Sequence, residues 1–407
     1  MRFSIVIPTQ DRPTLLAVAV KHAMQLDHPD FEVIVSDNST NDDFTRLNSE
    51  AVSGYECAPN FKLVRPPRVL SPPEHFEFAL DFATGDYVAY LTDKMVVLPH
   101  TLAAAEAAIR TSGADIVNWA YAPYQIDDSK NPSGPGALTE EFEFLNGKPK
   151  SYDPNAALRF KASCAVPRDK QHTRDYLLGK IIFGCYSREL IDRIRSNSGT
   201  VFGGATHDYS AMIQALSLAH GCVMLNTYGV LFISLPLDQS LGSLTALDSQ
   251  AAMRYFRSFA DPEFILSSLF VPGLYASQHN MVAHDYKKFL PLYGKMNCFG
   301  ETNWLWAIQA DLANDSKKWI DSVEKNTQLN LFARHADLTG QRLPLKAMRQ
   351  RLQFAAMSKK HLAPVISLVN RILRRQIVPS GRTFAAKSLA DAIEHVSTHS
   401  AMSKRLP

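Results

Sequence analysis

The chain has 407 residues, 46% of them apolar and 20% charged, and a formal net charge of +3. This length accommodates two or three domains, the composition is typical of a soluble globular protein, and the small net charge excludes a polycation. Five cysteines are scattered and never form a Cys-x-x-Cys pair, which favours free thiols in a reducing compartment over a disulfide framework or a zinc site. No leader-like apolar stretch follows the first charged residue, so we expect no secretory signal.

Residues 3–121 alternate between predicted strands and helices. The run FSIVIPT is continuously apolar, as in a strand buried on both faces of a parallel sheet. Pro13 suits the first turn of a helix that continues to about Leu26. Strand and helix alternating at this rhythm indicate right-handed crossovers and a doubly wound sheet. The predicted strands are 3–9, 31–37, 61–65, 87–91 and 114–121, with a further helix over 73–84.

Polar residues follow three of these predicted strands at their carboxyl ends. In an α/β sheet, ligands bind at that edge, so the three clusters predict one shared site. An alternative for the second cluster is an Asx turn that caps the next helix. The clusters are Thr9-Gln10-Asp11-Arg12, Asp37-Asn38-Ser39-Thr40 and Thr92-Asp93-Lys94.

The rest of the chain has a less regular pattern. Residues 122–180 show weak periodicity, and we interpret them as a loop-rich insertion that shapes an acceptor cleft. Residues 179–194 predict a strand and then a helix, and residues 203–221 predict a glycine turn and then a helix. The segment 236–244 is the predicted domain boundary, beyond which the pattern is mainly helical.

The region between Asp337 and Asp391 contains eleven Lys or Arg and no acidic residue. Apolar residues are interleaved, as in LAPVISLVNRILRRQIV, which is typical of a basic amphipathic helix on a membrane surface. Attraction to anionic headgroups contributes roughly 1 kcal/mol per basic residue near the surface. A solvated face packed on the first domain is the alternative. We expect no nucleic-acid partner, because no base-reading motif accompanies the charge.

Three segments in order resemble the amino-terminal half of family 2 glycosyltransferases of the GT-A fold. The similarity covers residues 3–105 closely and 179–240 loosely. It implies an α/β, Rossmann-like fold with a mostly parallel sheet and helices on both faces. The segments are SIVIPTQDRPTLLAVAVKHAM, EVIVSDNSTND and ATGDYVAYLTDKMVVLPHTL.

The resemblance also implies a division of the chain. A GT-A catalytic domain over residues 1–240 would comprise a nucleotide-sugar subsite, 1–105, and an acceptor-shaping region, 106–240. Residues 241–407 have no counterpart in the family, and their own pattern predicts a mainly α-helical carboxy-terminal region that includes the basic amphipathic segment 338–390.

The family's donor is a nucleoside-diphosphate sugar, and we expect a UDP-sugar here. Asp37 would accept a hydrogen bond from the base or the ribose, with Asn38 beside it. Arg12, Arg65 and Arg68 are candidates for bidentate contacts to phosphate oxygens. The remaining implied donor-binding residues are Pro8, Thr9, Asp11, Thr92, Asp93 and Lys94.

The triplet Thr92-Asp93-Lys94 departs from the family's Asp-x-Asp pattern, in which one carboxylate holds the ribose and another holds a divalent metal on the diphosphate. Three interpretations stay open. Asp93 holds Mn²⁺ or Mg²⁺ through substrate oxygens and water, or Lys94 supplies positive charge in the metal's place, or the chain is catalytically inactive. Lys94 as a surface charge paired with Asp93 is the plain structural alternative.

Inverting transfer requires a second carboxylate to accept the proton of the attacking hydroxyl. The family supplies it at a helix start, and the segment ATHDYSAMIQAL matches that place, which implies that Asp208 is the general base. The alternative is a first-turn acid stabilised by the helix dipole. His207, which stands where the family has Glu, either tunes Asp208 or is a structural histidine.

The resemblance thus implies an inverting glycosyltransferase that adds a sugar to a hydroxyl of a glycan or lipid-linked acceptor in cell-surface polysaccharide synthesis, for lipopolysaccharide or capsule. We expect a cytoplasmic protein, held peripherally on the inner face of the plasma membrane by its basic segment. Because the triplet is altered, a non-catalytic module that binds sugar nucleotides or glycans on the same fold is the alternative. The residues contain no readable pattern for the donor sugar, the acceptor, the linkage or the oligomeric state.

Overall fold

The computed structural model describes residues 1–126, 128, 130–140, 145, 147–164, 174–234, 247–314, 317–340 and 382–402. The strands in these ranges form one sheet in the order β11-β7-β6-β9-β4-β1-β2-β3, and β10 lies beside β6, β5 and β8. Their bounds are β1 Phe3–Thr9, β2 Phe31–Asp37, β3 Phe61–Val64, β4 Tyr87–Tyr90, β5 Met95–Val97, β6 Ile116–Ile126, β7 Gly136–Glu140, β8 Lys150–Tyr152, β9 Gly184–Ser187, β10 Cys222–Ser234 and β11 Arg382–Ala386.

Helices connect and cover these strands. The bounds of the first eight are α1 Pro13–Ala23, α2 Asp42–Val52, α3 Pro72–Leu80, α4 Thr101–Ser112, α5 Pro154–Ala162, α6 Arg174–Leu177, α7 Arg188–Ser198 and α8 His207–Leu218. Those that follow are α9 Ser249–Arg257, α10 Pro262–Ser268, α11 Gln278–Phe289, α12 Glu301–Leu312, α13 Ser322–Leu338 and α14 Leu389–Met402.

The amino-terminal half has the predicted doubly wound arrangement. Strands β3, β2, β1 and β4 are parallel neighbours, and β1 pairs with β2 so that Thr9 lies opposite Asp37. All of β1 is buried, and so is β2 after Phe31, as their continuous apolar runs predict. Helix α1 begins at Pro13 but ends at Ala23, short of the expected Leu26. The parallel strands therefore place the ends of β1, β2 and β4 at one edge of the sheet.

The full sheet is mixed, whereas we expected a mostly parallel one. Strands β6 and β10 are parallel, but β9 runs antiparallel to both β4 and β6, and β5 and β8 run antiparallel to β10.

Residues 122–180 are more regular than the loop-rich insertion that we predicted. Strand β6 continues to Ile126, and β7, β8 and α5 follow it. These elements are short and depend on pairing with β6 and β10, so their own periodicity is weak. Strand β10 was also not predicted, because register irregularities between Met224 and Val230 interrupt its alternation.

The carboxy-terminal region is mainly helical, as expected, but its last described residues return to the amino-terminal sheet. Strand β11 pairs antiparallel with β7, and α14 packs against β6 and β10. The predicted boundary at 236–244 and most of the basic segment, residues 341–381, lie outside the described residues. None of the helices in the described ranges is long and apolar enough to span a membrane. All five cysteines are free thiols.

Candidate functional site

The loop after β1 is tied to the loop after β2 through Asp11. Its carboxylate accepts hydrogen bonds from the backbone N–H of Thr40 at 2.9 Å and from the Thr40 hydroxyl at 2.7 Å. Asp11 has a φ of 56°, in the left-handed region that Asp tolerates better than most residues. The first and second polar clusters therefore form one continuous rim.

The loop after β1 is also tied to the loop after β4, through Asp93. Asp93 is 3% exposed, and its two carboxylate oxygens accept from the Thr9 hydroxyl at 3.0 Å and from the Arg12 guanidinium at 3.2 Å. A buried carboxylate needs such partners, because an unpaired buried charge is costly. Thr9, Arg12 and Asp93 are thus brought together at the rim.

Lys94 adds a second cation beside Asp93. Its ammonium lies 5.1 Å from the centroid of the Phe232 ring. Burial lowers the pKa of Lys94 to about 8, the nearby Arg12 charge acts in the same direction, and Asp93 opposes them. Asp93 is therefore flanked by two positive side chains, Arg12 and Lys94.

Asp37 is fully buried and accepts several hydrogen bonds. One oxygen accepts from the backbone N–H and the hydroxyl of Ser39 and from the Asn48 amide, and the other accepts from Arg65 at 2.6 Å. The Ser39 N–H bond is that of the Asx turn considered as the alternative, although the side chain that caps α2 belongs to Asn41. Asp37 thus shapes the second loop and anchors Arg65 beside it.

The other predicted donor-binding residues occupy less central places. Asn38 uses its amide to bond both backbone groups of Leu70, and Pro8 lies within buried β1. Arg68 pairs with Glu74 on the surface. The Thr92 hydroxyl is buried, and it neither donates nor accepts a hydrogen bond within the described part of the chain.

The donor set on the rim does not fit a metal held by the protein. No group of three or more His, Cys, Asp or Glu side chains occurs among the residues that the structure describes. Both oxygens of Asp93 are already engaged, and a divalent cation beside them would face Arg12. Lys94 would add further repulsion.

Asp208 lies in the first turn of α8, where the resemblance placed the general base. Its carboxylate pairs with the Lys180 ammonium at 3.1 Å. The Asp208 side chain is 18% exposed, whereas that of Lys180 is 1% exposed, so a hydroxyl can approach the carboxylate and not the ammonium. The Lys180 ammonium also lies between the rings of Tyr176 and Tyr209, at 4.1 and 4.0 Å.

Asp208 has a pKa below its usual value. Burial acts to raise this pKa, but the Lys180 and His207 side chains and the hydrogen bond from Lys180 outweigh it. The carboxylate is therefore ionised at neutral pH and able to accept a proton. The helix dipole, which was the alternative explanation for an acid at position 208, also lowers the pKa of Asp208. It is therefore compatible with this role.

His207 packs against the rim side of the molecule. Its ring centroid is 4.1 Å from that of Phe76 on α3, and Phe76 stacks at 5.2 Å on Tyr90, the last residue of β4. The His207 Nδ1 is buried and has no hydrogen-bond partner within the described residues. Burial lowers the pKa of His207, so this ring is neutral at pH 7.

A row of aromatic rings connects the rim to Asp208. Lys94 lies over the ring at one end, and Lys180, which pairs with Asp208, lies over the ring at the other. The row consists of Phe232, Tyr121, Phe183 and Tyr176, with successive centroid distances of 5.9, 4.7 and 6.3 Å. The rim and Asp208, which come from distant parts of the chain, thus lie at opposite ends of this row.

Three residues of the site were not predicted from the sequence: Lys180, Tyr176 and Asn48. Lys180 precedes the short helix Ile181–Phe183, and nothing in its sequence context distinguishes it from a surface lysine. Asn48 has no signal either, since it lies on a helix with polar neighbours. A buried lysine is recognisable only when the carboxylate and the rings around it are known.

Comparison with known proteins agrees with the architecture. Residues 4–169, which include the three rim clusters and end before Asp208, match Glycosyl transferase family 2. No curated protein sequence matches the chain. Crystal structures of S. aureus TarS 1-349, alone and in complex with UDP-GlcNAc, are similar at 14% identity, covering 86% of this chain and 92% of the other, with TM-scores of 0.46 and 0.47. No function is inferred from similarity at this level, and the family is inferred from the match of residues 4–169. Residues 4–169 thus form a domain that matches Glycosyl transferase family 2.

Proposed function

We propose that the protein is an inverting glycosyltransferase that moves a sugar from a UDP-sugar to a hydroxyl of a glycan or lipid-linked acceptor in cell-surface polysaccharide synthesis. The observation that carries this proposal is the pairing of two sites. A cationic rim around Asp93 lies at one end of the aromatic row, and an ionised, partly exposed Asp208 lies at the other.

In this proposal each residue has a defined role. Asp208 accepts the proton of the acceptor hydroxyl while that oxygen attacks the anomeric carbon. The bond from this carbon to the diphosphate breaks on the opposite side, which inverts the configuration. Arg12 and Lys94 stabilise the charge that develops on the leaving diphosphate. Asp93 holds Arg12 in place for this contact.

A donor panel tests the proposed substrate class. The protein is incubated with UDP-, GDP- and dTDP-sugars and candidate acceptors, while nucleotide release and thermal stabilisation are measured. We expect turnover with UDP-sugars and the largest stabilisation with UDP. Stabilisation without turnover under every condition would contradict the proposal and favour a binding module.

We also propose that the transfer needs no divalent metal, because Asp93 is engaged by Thr9 and Arg12 and two cations already face it. The expected result is the same rate with EDTA and with added Mn²⁺. Loss of transfer in EDTA that Mn²⁺ restores would refute this proposal and assign Asp93 to a metal.

If the charge of Lys94 stabilises the diphosphate, activity should fall at alkaline pH, where Lys94 loses its proton. Burial lowers its pKa to about 8, so the ammonium is lost as the pH rises through that value. We expect kcat/KM, which reports the free enzyme, to fall above pH about 8. Lys94→Arg should remove this limit, because a guanidinium stays charged. The prediction is wrong if wild type and Lys94→Arg have the same alkaline profile.

We propose that the basic segment 338–390 attaches the protein to an anionic membrane surface. The composition of the segment supports this attachment, because it contains eleven basic residues and no acidic one. In vesicle co-sedimentation, we expect binding to phosphatidylserine vesicles that weakens with salt, and none to phosphatidylcholine. A variant with Arg371, Arg374 and Arg375 changed to Gln should bind about 3 kcal/mol more weakly, at roughly 1 kcal/mol per residue.

The matched control for the membrane test removes three basic residues elsewhere. Arg46, Arg110 and Arg254 are exposed on α2, α4 and α9, outside the basic segment. Changing these three to Gln makes the same change in net charge and should leave vesicle binding nearly intact. Equal losses for both triple variants would show that binding depends on net charge and not on the segment.

A further inference from the structure

The amino-terminal end of α8 is not capped by the side chain of its own N-cap residue. Thr206 is the N-cap residue of α8 and has extended backbone, yet its side chain makes no capping hydrogen bond to the helix. An N-cap threonine usually accepts from the first turn of its helix. Here the Thr206 hydroxyl donates instead to Asp285, a residue of α11 in the carboxy-terminal region.

Asp285 holds this segment by three hydrogen bonds. One carboxylate oxygen accepts from the Ala205 backbone N–H at 2.7 Å. The other accepts from the Thr206 N–H at 2.8 Å and from the Thr206 hydroxyl. Asp285 is fully buried, so these bonds are shielded from water and hold the two residues in fixed positions. Asp208 follows Thr206 by two positions.

Gly204 leaves room for the Asp285 carboxylate to approach the backbone just before α8. Gly204 has a φ of 150°, and a Cβ at this position would lie 2.4 Å from the Asp285 carboxylate. A side chain there would therefore have to displace either the loop or Asp285. Only glycine accommodates both the backbone conformation and the contact.

Other side chains of the carboxy-terminal region hold α8 along its length. The Tyr255 hydroxyl donates to the Ala205 carbonyl, beside the Asp285 contact. The Tyr293 hydroxyl donates to the Gln214 side chain in the third turn, and Lys295 donates to the Ser217 carbonyl near the end. These contacts come from outside the segment 4–169 that matches the family.

We propose that Asp285 is a positioning residue that sets the place of Asp208 by fixing the start of α8. This inference rests on the proposed role of Asp208 as general base. It gives the helical carboxy-terminal region a direct part in the reaction, since the start of the helix that carries the base is held from that region.

Crystal structures of two variants test the geometry without any substrate. Asp285→Asn replaces one acceptor oxygen with a donor, and the added methyl group of Gly204→Ala pushes against the same Asp285 carboxyl group. In both, we expect the start of α8 to shift and the contact between Lys180 and Asp208 to lengthen from 3.1 Å. If both variants keep this contact and the position of α8, the proposal is wrong.

Kinetics then test the consequence, using UDP release from UDP-GlcNAc and UDP binding by calorimetry. A displacement of about 1 Å is enough to lower catalysis about 10²-fold, so we expect kcat to fall by that factor in Asp285→Asn. The dissociation constant for UDP should not change, because the rim does not contact Asp285. A variant with wild-type kcat overturns the proposal.

The matched control is Asp311→Asn. Asp311 is also a buried carboxylate of this region, but it accepts from Ser277 and His279 at the start of α11. A loss of thermal stability similar to that of Asp285→Asn, without the loss of kcat, separates positioning from folding. If both variants lose kcat in proportion to stability, Asp285 has only a structural role.

Asp208→Asn separates this inference from the proposed function. If Asp208→Asn transfers at the wild-type rate, the assignment of the base fails, whatever Asp285 does. If Asp208→Asn lowers kcat, then the double variant Asp208→Asn with Asp285→Asn should be no slower than Asp208→Asn alone, because both changes act through one group. Additive losses would show that Asp285 acts independently of Asp208.

Discussion

Replacing Asp208 with Asn should lower kcat about 10²- to 10⁴-fold, the range for loss of a general base. The amide has almost the same shape as the carboxylate but cannot take up the proton of the acceptor hydroxyl. Donor binding should be unchanged, because the residues that we propose hold the nucleotide lie on the rim, at the other end of the aromatic row. Steady-state transfer and UDP calorimetry together measure the two effects.

Asp192→Asn is the control for this prediction. Asp192 is an exposed residue of α7, so the same chemical change there should affect neither kcat nor UDP binding. An Asp208→Asn enzyme with wild-type kcat would exclude Asp208 as the base. A variant that loses UDP binding as well would mean that Asp208 contacts the donor.

Replacing Lys180 with Met should destabilise the protein and shift its acid limit. The change leaves the partly exposed Asp208 carboxylate without its buried partner, and the roughly 3–5 kcal/mol typical of breaking a fully buried pair is the upper limit of the cost. Burial, no longer opposed by the Lys180 charge, then raises the pKa of Asp208. We therefore expect the acid limb of the kcat profile to move to higher pH in Lys180→Met.

The stability of the two proteins should diverge as the pH rises. In wild type, the lowered pKa of Asp208 stabilises the fold above the ordinary pKa of aspartate, and this contribution is lost as the pH falls through the folded-state value. In Lys180→Met the raised pKa means that ionisation of Asp208 opposes folding. Denaturant unfolding should therefore show a larger difference between the two proteins at pH 8 than at pH 4.

Lys161→Met is the matched control for Lys180→Met. Lys161 is also a buried lysine, and its ammonium donates to the Tyr176 carbonyl. Burial and the neighbouring Lys180 lower the pKa of Lys161 to about 7, so it is only partly charged near neutral pH. Its removal should leave the acid limb in place. If both variants show the same shift, or neither does, Lys180 does not control the protonation of Asp208.

The parts of the fold that local patterns determine were predictable. Strands β1 and β2 are continuous apolar runs, and the residues after β1, β2 and β4 must meet once those strands are parallel neighbours. The rim formed by Thr9, Asp11 and Asp93 therefore followed from the strand pattern, and the resemblance added Asp208. Strand β10 was not predictable, because its irregular register near Tyr228 removes the alternation on which such a prediction depends.

The residues that prediction missed act through distant partners. The role of Lys180 depends on its contact with Asp208. The role of Asp285 depends on its contacts with Ala205 and Thr206, which lie about eighty positions earlier in the chain. Glycine at position 204 suggested a turn, but only the structure shows that a carboxylate occupies the space of its missing side chain. Such contacts are set by packing between elements, on which a single sequence carries little information.

A crystal structure of the protein with bound UDP or an unreactive UDP-sugar tests the central claim most directly. We predict that the diphosphate lies against Arg12 and Lys94, and that the Asp208 carboxylate faces the anomeric carbon from the side opposite the diphosphate. A diphosphate bound away from Arg12 and Lys94, or an Asp208 that opens onto a different cleft from the sugar, would contradict the claim.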